Sequence, residues 1–569
     1  MQGIGVSPGI AIGEALVLKD VPSVLPERSR LTAGEENERL SRSLSSARRQ
    51  LEKIRAGAEA RLGNKAQILD AQILITEDEE LLSLVREKLK EGLTAEAALR
   101  DGVEYYANLL ENMDNEYLRE RAADIRDTGR RIIRDLMGVA ETDLTHLGTP
   151  CIIVAHDLTP SDTATMAPEH VLGFITDVGG RTSHSAIMAR TLEIPAIVGT
   201  VQGTELIRTG DSLILDGNSG EVIVNPEPDV LGTYREKQRA QAERKEKLQA
   251  LKGQPTVTHD GRKVIVAANI GTPKDCEGAL RNGAEGVGLF RTEFLYLNRE
   301  DLPGEEEQFQ AYKEVLEAMA PREVVIRTLD VGGDKELPYL GLAKESNPFL
   351  GYRAIRVCLD RPEMFKTQLR ALLRASVYGK LGIMFPMISS LEEVRRAKGM
   401  LAQVREELVS EGVAVSEEVE VGIMIEIPAA AVMSDVLARE VDFFSIGTND
   451  LIQYTTAVDR LNGKIASLYT PYHPAVLRLV RQVIENGHKF GIWVGMCGEA
   501  AGDQALIPLL LGMGLDEFSM SAISVLESRE LLGRLNYAEA QARVTEVLAL
   551  GTAAEIEETL QILRISEEV

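Results

Sequence analysis

Charged side chains follow several apolar segments in the second half of the chain, where they could bind a small anion. Arg291 follows the segment GVGLF, Arg327 ends EVVIR, and Arg460 lies beyond FSIGT. Guanidinium groups match the geometry of phosphate and carboxylate oxygens, so these residue types predict a ligand that carries both groups. A single charged residue in such a position is more often part of an ion pair or a cap. It is the convergence of several that predicts a site.

Two carboxylates and one cysteine also lie at the end of apolar segments, or just after them, in the second half of the chain. Glu426 ends EVGIMIE and Asp450 follows FSIGTN. Both could hold Mg²⁺, a hard cation that prefers carboxylate and phosphate oxygens. Cys497 ends GIWVGMC, and its thiol could give or take a proton near a reacting carbon. The alternative for this cysteine is a small, buried apolar role.

His184 lies in a separate segment, GGRTSHSAIMAR (179–190). The paired glycines permit a tight turn, and Thr182 or Ser183 could cap a helix that begins there. Free backbone N–H groups would then surround the histidine and form an anion site. A neutral imidazole there could attack phosphorus, and the same groups would stabilise the phosphohistidine. The alternative is a histidine that caps the helix without chemistry.

The first set of residues requires a scaffold that brings distant strand ends together. Near-continuous apolar segments separated by helical or loop segments occur at 263–270, 285–290, 323–330, 379–388, 420–427, 441–449, 491–497 and 517–521. Eight such segments predict a parallel (β/α)8 TIM barrel, in which the active site lies at the carboxyl ends of the strands. The rival is an open doubly wound sheet, but no glycine-rich dinucleotide fingerprint follows an early strand.

The first half of the chain predicts an α/β domain that is interrupted by helices. Strand patterns occur in residues 1–20 and return from 148 onwards. Between them, residues 32–138 repeat apolar side chains at spacings of three and four, which is typical of a helical bundle. Residues 227–252 are highly charged and predict an exposed connecting helix.

Composition narrows the functional classes. The chain has 569 residues and a formal net charge of -25, which disfavours nucleic acid and anionic membrane surfaces and favours a basic protein partner. No apolar run approaches the length of a membrane span, and the first residues lack the pattern of a signal peptide. The four cysteines are scattered without a CxxC pair, so we expect a reduced, cytoplasmic protein.

Taken together, the motifs closely resemble enzyme I of the bacterial phosphoenolpyruvate-dependent sugar phosphotransferase system. The resemblance spans essentially the whole chain in a fixed order of long motifs. They are GGRTSHSAIMAR, GLFRTEFLY, RTLDVGGDK, NPFLGYRAIR, IEIPAA, FSIGTNDLIQYTTAVDR and GMCGEAAGD.

The resemblance implies a reaction and a role for each matched residue. Phosphoenolpyruvate would bind with Mg²⁺ in the barrel and phosphorylate His184, which would pass the phosphoryl group to the carrier protein HPr. Residues at the histidine would include Thr163, Gly180 and Ser183. In the barrel, the resemblance implies that Arg291 and Arg327 contact the phosphoryl group and that Asn449 and Arg460 contact the substrate carboxylate. Lys335 and Arg353 would line the site. Glu426 and Asp450 would bind Mg²⁺, and Cys497 would protonate the enolate carbon.

The resemblance also implies the domain organisation. A swivelling phosphohistidine α/β domain would comprise residues 1–25 and 143–225, with an HPr-binding helical insert at 26–142. A helical linker (226–255) would lead to a phosphoenolpyruvate-binding barrel (256–569) that forms a homodimer. The phosphohistidine domain would swing about residues 225–255 to visit both partners.

The helical insert would dock HPr through two segments that resemble the docking segments of the family, ILDAQILITEDEELL (68–82) and ERAADIRD (120–127). In the first segment Ile73, Leu74 and Ile75 would supply apolar contacts, and Asp78 and Glu80 would complement basic groups of the carrier. Relatives often have histidine where this chain has Gln72. That difference concerns the contacts with the carrier and leaves the chemistry unchanged.

Other classes of protein fit the sequence less well. Pyruvate phosphate dikinase and phosphoenolpyruvate synthase share the histidine domain and the barrel, but they carry a large nucleotide-binding domain, for which residues 1–145 are too short. A regulatory phosphocarrier that hardly turns over would not need Cys497, Glu426 and Asp450. A paralogue for nitrogen control usually has an added sensory domain at its N-terminus.

Overall fold

The computed structural model describes residues 1–18, 25–62, 66–111, 116–139, 144, 147–159, 162, 166, 170–180, 183–192, 194–297, 299, 301–333, 337–343, 345–462 and 464–568. The chain divides into two compact units, Met1–Arg244 and Lys245–Val569. Thr163 and Lys335, two of the predicted site residues, lie outside the described residues.

A seven-stranded sheet forms the centre of the first unit, in the order β1-β5-β4-β3-β2-β6-β7. Strands β2 to β5 pair in parallel, whereas β1, β6 and β7 pair antiparallel to their neighbours. All side chains of β3 are buried, as expected for a strand covered on both faces. The strands are β1 (Ile4–Ser7), β2 (Ile10–Val17), β3 (Cys151–Ala155), β4 (Val171–Thr176), β5 (Ala196–Val198), β6 (Ser212–Asp216) and β7 (Glu221–Val224).

A group of helices is inserted between β2 and β3, as the spacing of apolar residues predicts. Leu40, Ala47 and Leu51 are buried on one face of the first helix. That helix begins with a capping box, in which Thr32 and Glu35 exchange side-chain and backbone hydrogen bonds. The helices are α1 (Ala33–Leu62), α2 (Ala66–Ile75), α3 (Glu79–Lys90), α4 (Ala95–Glu111) and α5 (Glu116–Leu136).

The described residues of the first unit include three further helices, and the last of them continues into the second unit. They are α6 (His184–Leu192), α7 (Gly203–Leu206) and α8 (Pro228–Ala250). The beginning of α8 packs on the sheet, where the hydroxyl of Tyr234 donates to Glu221 and the amide of Gln238 donates to the Ile10 carbonyl, both at 2.9 Å. The boundary between the compact units falls inside this helix, and the finer domain limits remain predictions.

Eight parallel strands close into a barrel in the second unit, and each coincides with one of the predicted apolar segments to within one residue at its carboxyl end or falls inside it. The multidomain α/β fold with a TIM barrel is therefore confirmed. The last six strands end earlier than predicted, so that Asp330, Glu426 and Cys497 follow the strands instead of belonging to them, whereas the second strand includes Arg291. The strands are β8 (Ile265–Ile270), β9 (Val287–Arg291), β10 (Glu323–Arg327), β11 (Lys380–Phe385), β12 (Glu420–Ile425), β13 (Phe443–Ile446), β14 (Trp493–Met496) and β15 (Glu517–Met520).

Helices surround the barrel, and side chains fill its interior. Phe443 and Trp493 stack inside the barrel with their ring centroids 4.5 Å apart, so the centre is a packed core. The helices are α9 (Asp275–Arg281), α10 (Glu305–Met319), α11 (Ile355–Asp360), α12 (Pro362–Ala375), α13 (Leu391–Ser410), α14 (Pro428–Val432), α15 (Ser434–Leu437), α16 (Thr448–Thr456), α17 (Pro474–Lys489), α18 (Ile507–Met513), α19 (Val525–Arg534), α20 (Tyr537–Ala549) and α21 (Ala553–Glu568).

Within the described ranges, no helix is both long enough and apolar enough to cross a bilayer.

Candidate active site

A cavity of about 630 Å³ opens at the carboxyl ends of the barrel strands. It brings together predicted residues that are up to about 200 positions apart in the chain. The predicted residues that line it are Arg291, Arg327, Arg353, Glu426, Asn449, Asp450, Arg460 and Cys497.

Buried carboxylates fix two of the arginines in this cavity. Arg327, 6% exposed, lies 2.5 Å from Glu293 and 3.0 Å from Asp330. The second oxygen of Asp330 accepts a hydrogen bond from Arg353 at 2.9 Å. Asp330 thus holds both guanidinium groups in fixed orientations, and each group is directed by a charge-assisted contact.

Glu426 and Asp450 form an electron-rich corner of the cavity. Glu426 accepts a hydrogen bond from the backbone N–H of Met387 at 2.6 Å. Its burial, followed by the charges of Asp450 and Asp330, raises the pKa of Glu426 to about 8. The Oδ1 atom of Asp450 is buried and accepts no hydrogen bond from a described residue. An unpaired carboxylate oxygen beside a second carboxylate fits a hard divalent cation.

Cys497 lies at the same end of the barrel, 3% exposed. Its Sγ lies 3.9 Å from the carbonyl oxygen of Ile446. Burial raises the pKa of the Cys497 thiol to about 11, although the positive charge of Arg327 acts in the opposite direction. The thiol therefore stays protonated at neutral pH and can serve as an acid.

Some residues of the cavity have no predicted role. Glu293 and Asp330 stand beside predicted arginines in RTE and RTLD, so the motifs contained a signal for them. Tyr469 also lines the cavity, and Tyr454 accepts a hydrogen bond from Arg353. Tyr454 falls inside the motif FSIGTNDLIQYTTAVDR, four residues after Asp450, so the sequence contained a signal for it. No local pattern marks Tyr469, which lies beyond the end of that motif.

Gly179 and Gly180 lie shortly before α6, and His184 is the first residue of that helix. Thr182, one of the two predicted caps, lies outside the described residues. Gly179 has a φ of +109°, a conformation that side chains rarely allow. Ser183 accepts a hydrogen bond from the N–H of Ala186 at 3.3 Å and so caps the helix. Its own N–H donates to the carbonyl of Gly180 at 3.0 Å. The helix start predicted from the sequence is present.

Comparison with known protein families gives a match for each part of the chain. Residues 245–537 match "PEP-utilising enzyme, PEP-binding domain", and residues 2–121 match "PEP-utilising enzyme, N-terminal". Residues 147–220 match "PEP-utilising enzyme, mobile domain".

Full-length relatives carry one shared name, phosphoenolpyruvate-protein phosphotransferase. The chain is 51% identical to that of Staphylococcus carnosus, with 98% of this chain and 97% of the relative covered. It is 54% identical to that of Geobacillus stearothermophilus (98% and 96% covered) and 52% identical to that of Bacillus subtilis (98% of both). The chain belongs to the phosphoenolpyruvate-protein phosphotransferase family.

This is the family of enzyme I, and its members are transferases. The chain is therefore a transferase that acts in phosphoenolpyruvate-dependent phosphotransfer. Enzymes that use phosphoenolpyruvate in this way use a divalent metal ion, and the Glu426–Asp450 corner fits one. A solved structure, the NMR solution structure of Enzyme I (nEIt), is 40% identical, covers 42% of this chain and 99% of its own, and has a TM-score of 0.38.

The residues named as predicted contacts for the carrier protein, Ile73, Leu74, Asp78 and Glu80, lie at the end of α2 and around the start of α3. Leu74 is 68% exposed and Glu80 is also exposed, so both side chains are available to a partner. Ile73 is half-buried and packs near Leu51, and Asp78 caps α3 by accepting a hydrogen bond from Leu81. These last two therefore also have structural contacts.

Gln72 lies beneath these residues. It is buried, and its side-chain amide donates to Asp127 at 2.8 Å.

Proposed function

We propose that this enzyme transfers the phosphoryl group of phosphoenolpyruvate to His184 and then to the carrier protein HPr, with release of pyruvate. The transfer would be the first step of sugar uptake. The observation that carries the proposal is one barrel cavity in which arginines, paired carboxylates and a protonated cysteine are brought together. Phosphoryl transfer depends mainly on positioning and charge neutralisation, which such a cavity supplies.

The arginines differ in a way that suits their proposed roles. Arg291 is exposed and makes no ion pair with any described residue, so its guanidinium is available for phosphoryl oxygens. Arg327 is held by Glu293 and Asp330 and presents a fixed second contact. Asn449 and Arg460 would hold the substrate carboxylate, and Arg353 lines the site. Lys335 joins this group through its motif alone.

The charge of the cavity supports a bound cation. Its described lining contains four arginines and five carboxylates, so it offers little net positive charge to an anionic substrate. We propose Mg²⁺ as the metal, held by Glu426 and Asp450. When bound, Mg²⁺ neutralises charge on the phosphoryl oxygens and on the enolate.

Cys497 completes the reaction. As the bond between phosphorus and the enol oxygen breaks, its electron pair stays on that oxygen and an enolate forms, while phosphorus bonds to an imidazole nitrogen of His184. The Cys497 thiol then gives its proton to C3 of the enolate, which yields pyruvate and a thiolate. The burial that raises the thiol pKa keeps this proton in place until the enolate forms.

The partners that we propose are inferred from the surface of the helical insert and from the family. HPr would dock on the helical insert at Ile73, Leu74, Asp78 and Glu80, where acidic and apolar side chains meet a basic carrier. Thr163, Gly180 and Ser183 would support the phosphorylated histidine. We also propose a homodimer through the barrel and a cytoplasmic location, in keeping with the family.

The experiment that tests this function is labelling with ³²P-phosphoenolpyruvate. The wild-type enzyme should acquire acid-labile label and pass it to HPr, and His184→Ala should lose both reactions. His156→Ala is the matched control, because His156 is half-exposed in the same unit and should leave labelling unchanged. Labelling of His184→Ala at the wild-type level would overturn the proposal.

A further inference from the structure

Tyr469 occupies a distinctive position in the barrel cavity. It ends the segment that leads from Arg460 back to the barrel through a short 3₁₀ turn, Ala466–Leu468. Its side chain lines the cavity, and its hydroxyl donates a hydrogen bond to the carbonyl oxygen of Asn449 at 3.1 Å. The hydroxyl thereby ties this segment to the first turn of α16.

Arg460 lines the same cavity, and its positive charge acts on the Tyr469 hydroxyl. Burial raises the pKa of Tyr469 to about 12, while the charge of Arg460 acts to lower it. The neutral hydroxyl donates its hydrogen bond to the Asn449 carbonyl. It thereby connects the segment that begins at Arg460 with Asn449, and these are the two residues to which the substrate carboxylate is assigned above.

Further contacts of these two residues hold the Asn449 amide and the backbone of Arg460. Asn449 accepts a hydrogen bond from the N–H of Glu499 at 3.1 Å, and the backbone N–H of Arg460 donates to Gln453 at 3.1 Å. The Arg460 guanidinium also lies over the ring of Phe349, with 6.0 Å to the centroid. A ring face attracts the cation without directing its N–H groups, so the position of the Arg460 side chain depends on the segment that carries it.

We propose that Tyr469 is a positioning residue that holds the segment bearing Arg460 against Asn449 and so determines the affinity of the enzyme for the carboxylate of its substrate. The inference rests on the proposed function, because it assumes that these two residues bind the carboxylate. Tyr469 itself takes no part in phosphoryl transfer or proton transfer. Its loss should therefore weaken binding while leaving the chemical steps intact.

The first test compares Tyr469→Phe with Tyr472→Phe. Tyr472 is partly buried three residues further on, donates to Asp503 at 2.7 Å, and does not line the cavity. In steady-state pyruvate formation, Tyr469→Phe should raise KM for phosphoenolpyruvate about tenfold, the scale of one hydrogen bond, with kcat within about twofold. Tyr472→Phe should match the wild type.

A second measurement distinguishes a misplaced Arg460 from a general loss of ligand binding in the cavity. Inhibition by pyruvate, which carries the carboxylate, should weaken about tenfold in Tyr469→Phe, while inhibition by inorganic phosphate should not change. Equal loss of sensitivity to both ligands, or an unchanged KM, would overturn the inference.

A double-mutant cycle then tests whether Tyr469 acts through Arg460. In an Arg460→Ala background, Tyr469→Phe should have almost no further effect on KM, whereas additive effects would contradict the proposal. The proposed function is judged separately, because labelling of His184 by phosphoenolpyruvate does not depend on the outcome of this cycle.

Discussion

At the scale of single residues, environment separates side chains of one type into different roles. Arg327 is buried between Glu293 and Asp330, whereas Arg291 is exposed and unpaired among the described residues. A buried arginine that lost its carboxylates would leave an uncompensated charge, which is strongly destabilising. The carboxylates around Arg327 are therefore as necessary to the cavity as the arginine, although they touch no substrate in the proposed reaction.

Cys497→Ala should slow pyruvate formation by about 10²–10³-fold, within the range expected for removal of a general acid. Binding of phosphoenolpyruvate should change little, because the arginines and carboxylates remain. The measurement is pyruvate release, combined with incorporation of deuterium at C3 in D₂O. Because the thiol pKa is about 11, loss of the proton from Cys497 in the wild type should not limit the rate below about pH 10.

Cys358→Ala is the control for that prediction. Cys358 is also fully buried in the barrel unit, but it does not line the cavity. Its variant should keep the wild-type rate. Full activity of Cys497→Ala would show that another group supplies the proton.

At the scale of elements, the carboxylates at the two ends of the barrel strands have different partners. At the carboxyl ends, carboxylates pair with arginines. At the amino ends, Glu323, Glu420 and Glu517 begin three strands, and the indole N–H of Trp493 donates to Glu420 at 2.9 Å. Glu517 is 4% exposed and its Oε1 has no partner among the described residues.

Glu517→Gln should stabilise the barrel at alkaline pH. Burial, followed by the charges of Glu323, Glu420 and Asp516, raises the pKa of Glu517 to about 8 from its ordinary value of 4.5. The folded state therefore keeps a proton that the unfolded chain releases, so this residue makes the free energy of unfolding fall as pH rises from about 4.5 to about 8. The variant should melt about 2–4 °C higher than the wild type at pH 8.5 and almost equally at pH 4.5.

Glu527→Gln serves as the reference for the melting experiment, because Glu527 is exposed on α19 and its substitution should have no pH-dependent effect. A Glu517→Gln variant that gained the same stability at both pH values would contradict the protonation account. So would a variant that was destabilised at pH 8.5.

The elements themselves were largely predictable from the sequence, and the contacts between them were not. Apolar runs predicted all eight barrel strands, because parallel strands are buried on both faces and need apolar side chains throughout. Strand ends placed Glu426 and Cys497 at one rim. The hydroxyl of Tyr469, in contrast, reaches Asn449 from twenty residues away through an irregular segment. Periodicity carries no information about such a contact.

At the scale of the whole molecule, α8 belongs to both units. Its first part is anchored on the sheet by Tyr234 and Gln238. Just beyond its end, the carbonyl of Leu251 accepts a hydrogen bond from Arg529 of the barrel unit at 3.0 Å. Each end of the helix is thus tied to its own unit, and the intervening residues are largely exposed. The predicted swing of the phosphohistidine domain remains a prediction, and we place its pivot between these two anchors.

A fragment of residues 1–250 should retain one half of the reaction. It contains His184, the helical insert and the whole of α8, and its sheet and helices have hydrophobic cores of their own. It lacks every residue of the barrel cavity. The fragment should therefore exchange ³²P with phosphorylated HPr but acquire no label from phosphoenolpyruvate, and the same fragment with His184→Ala should do neither. Labelling of the fragment by phosphoenolpyruvate alone would mean that the first unit binds the substrate itself, and the division of the two half-reactions between the units would be wrong.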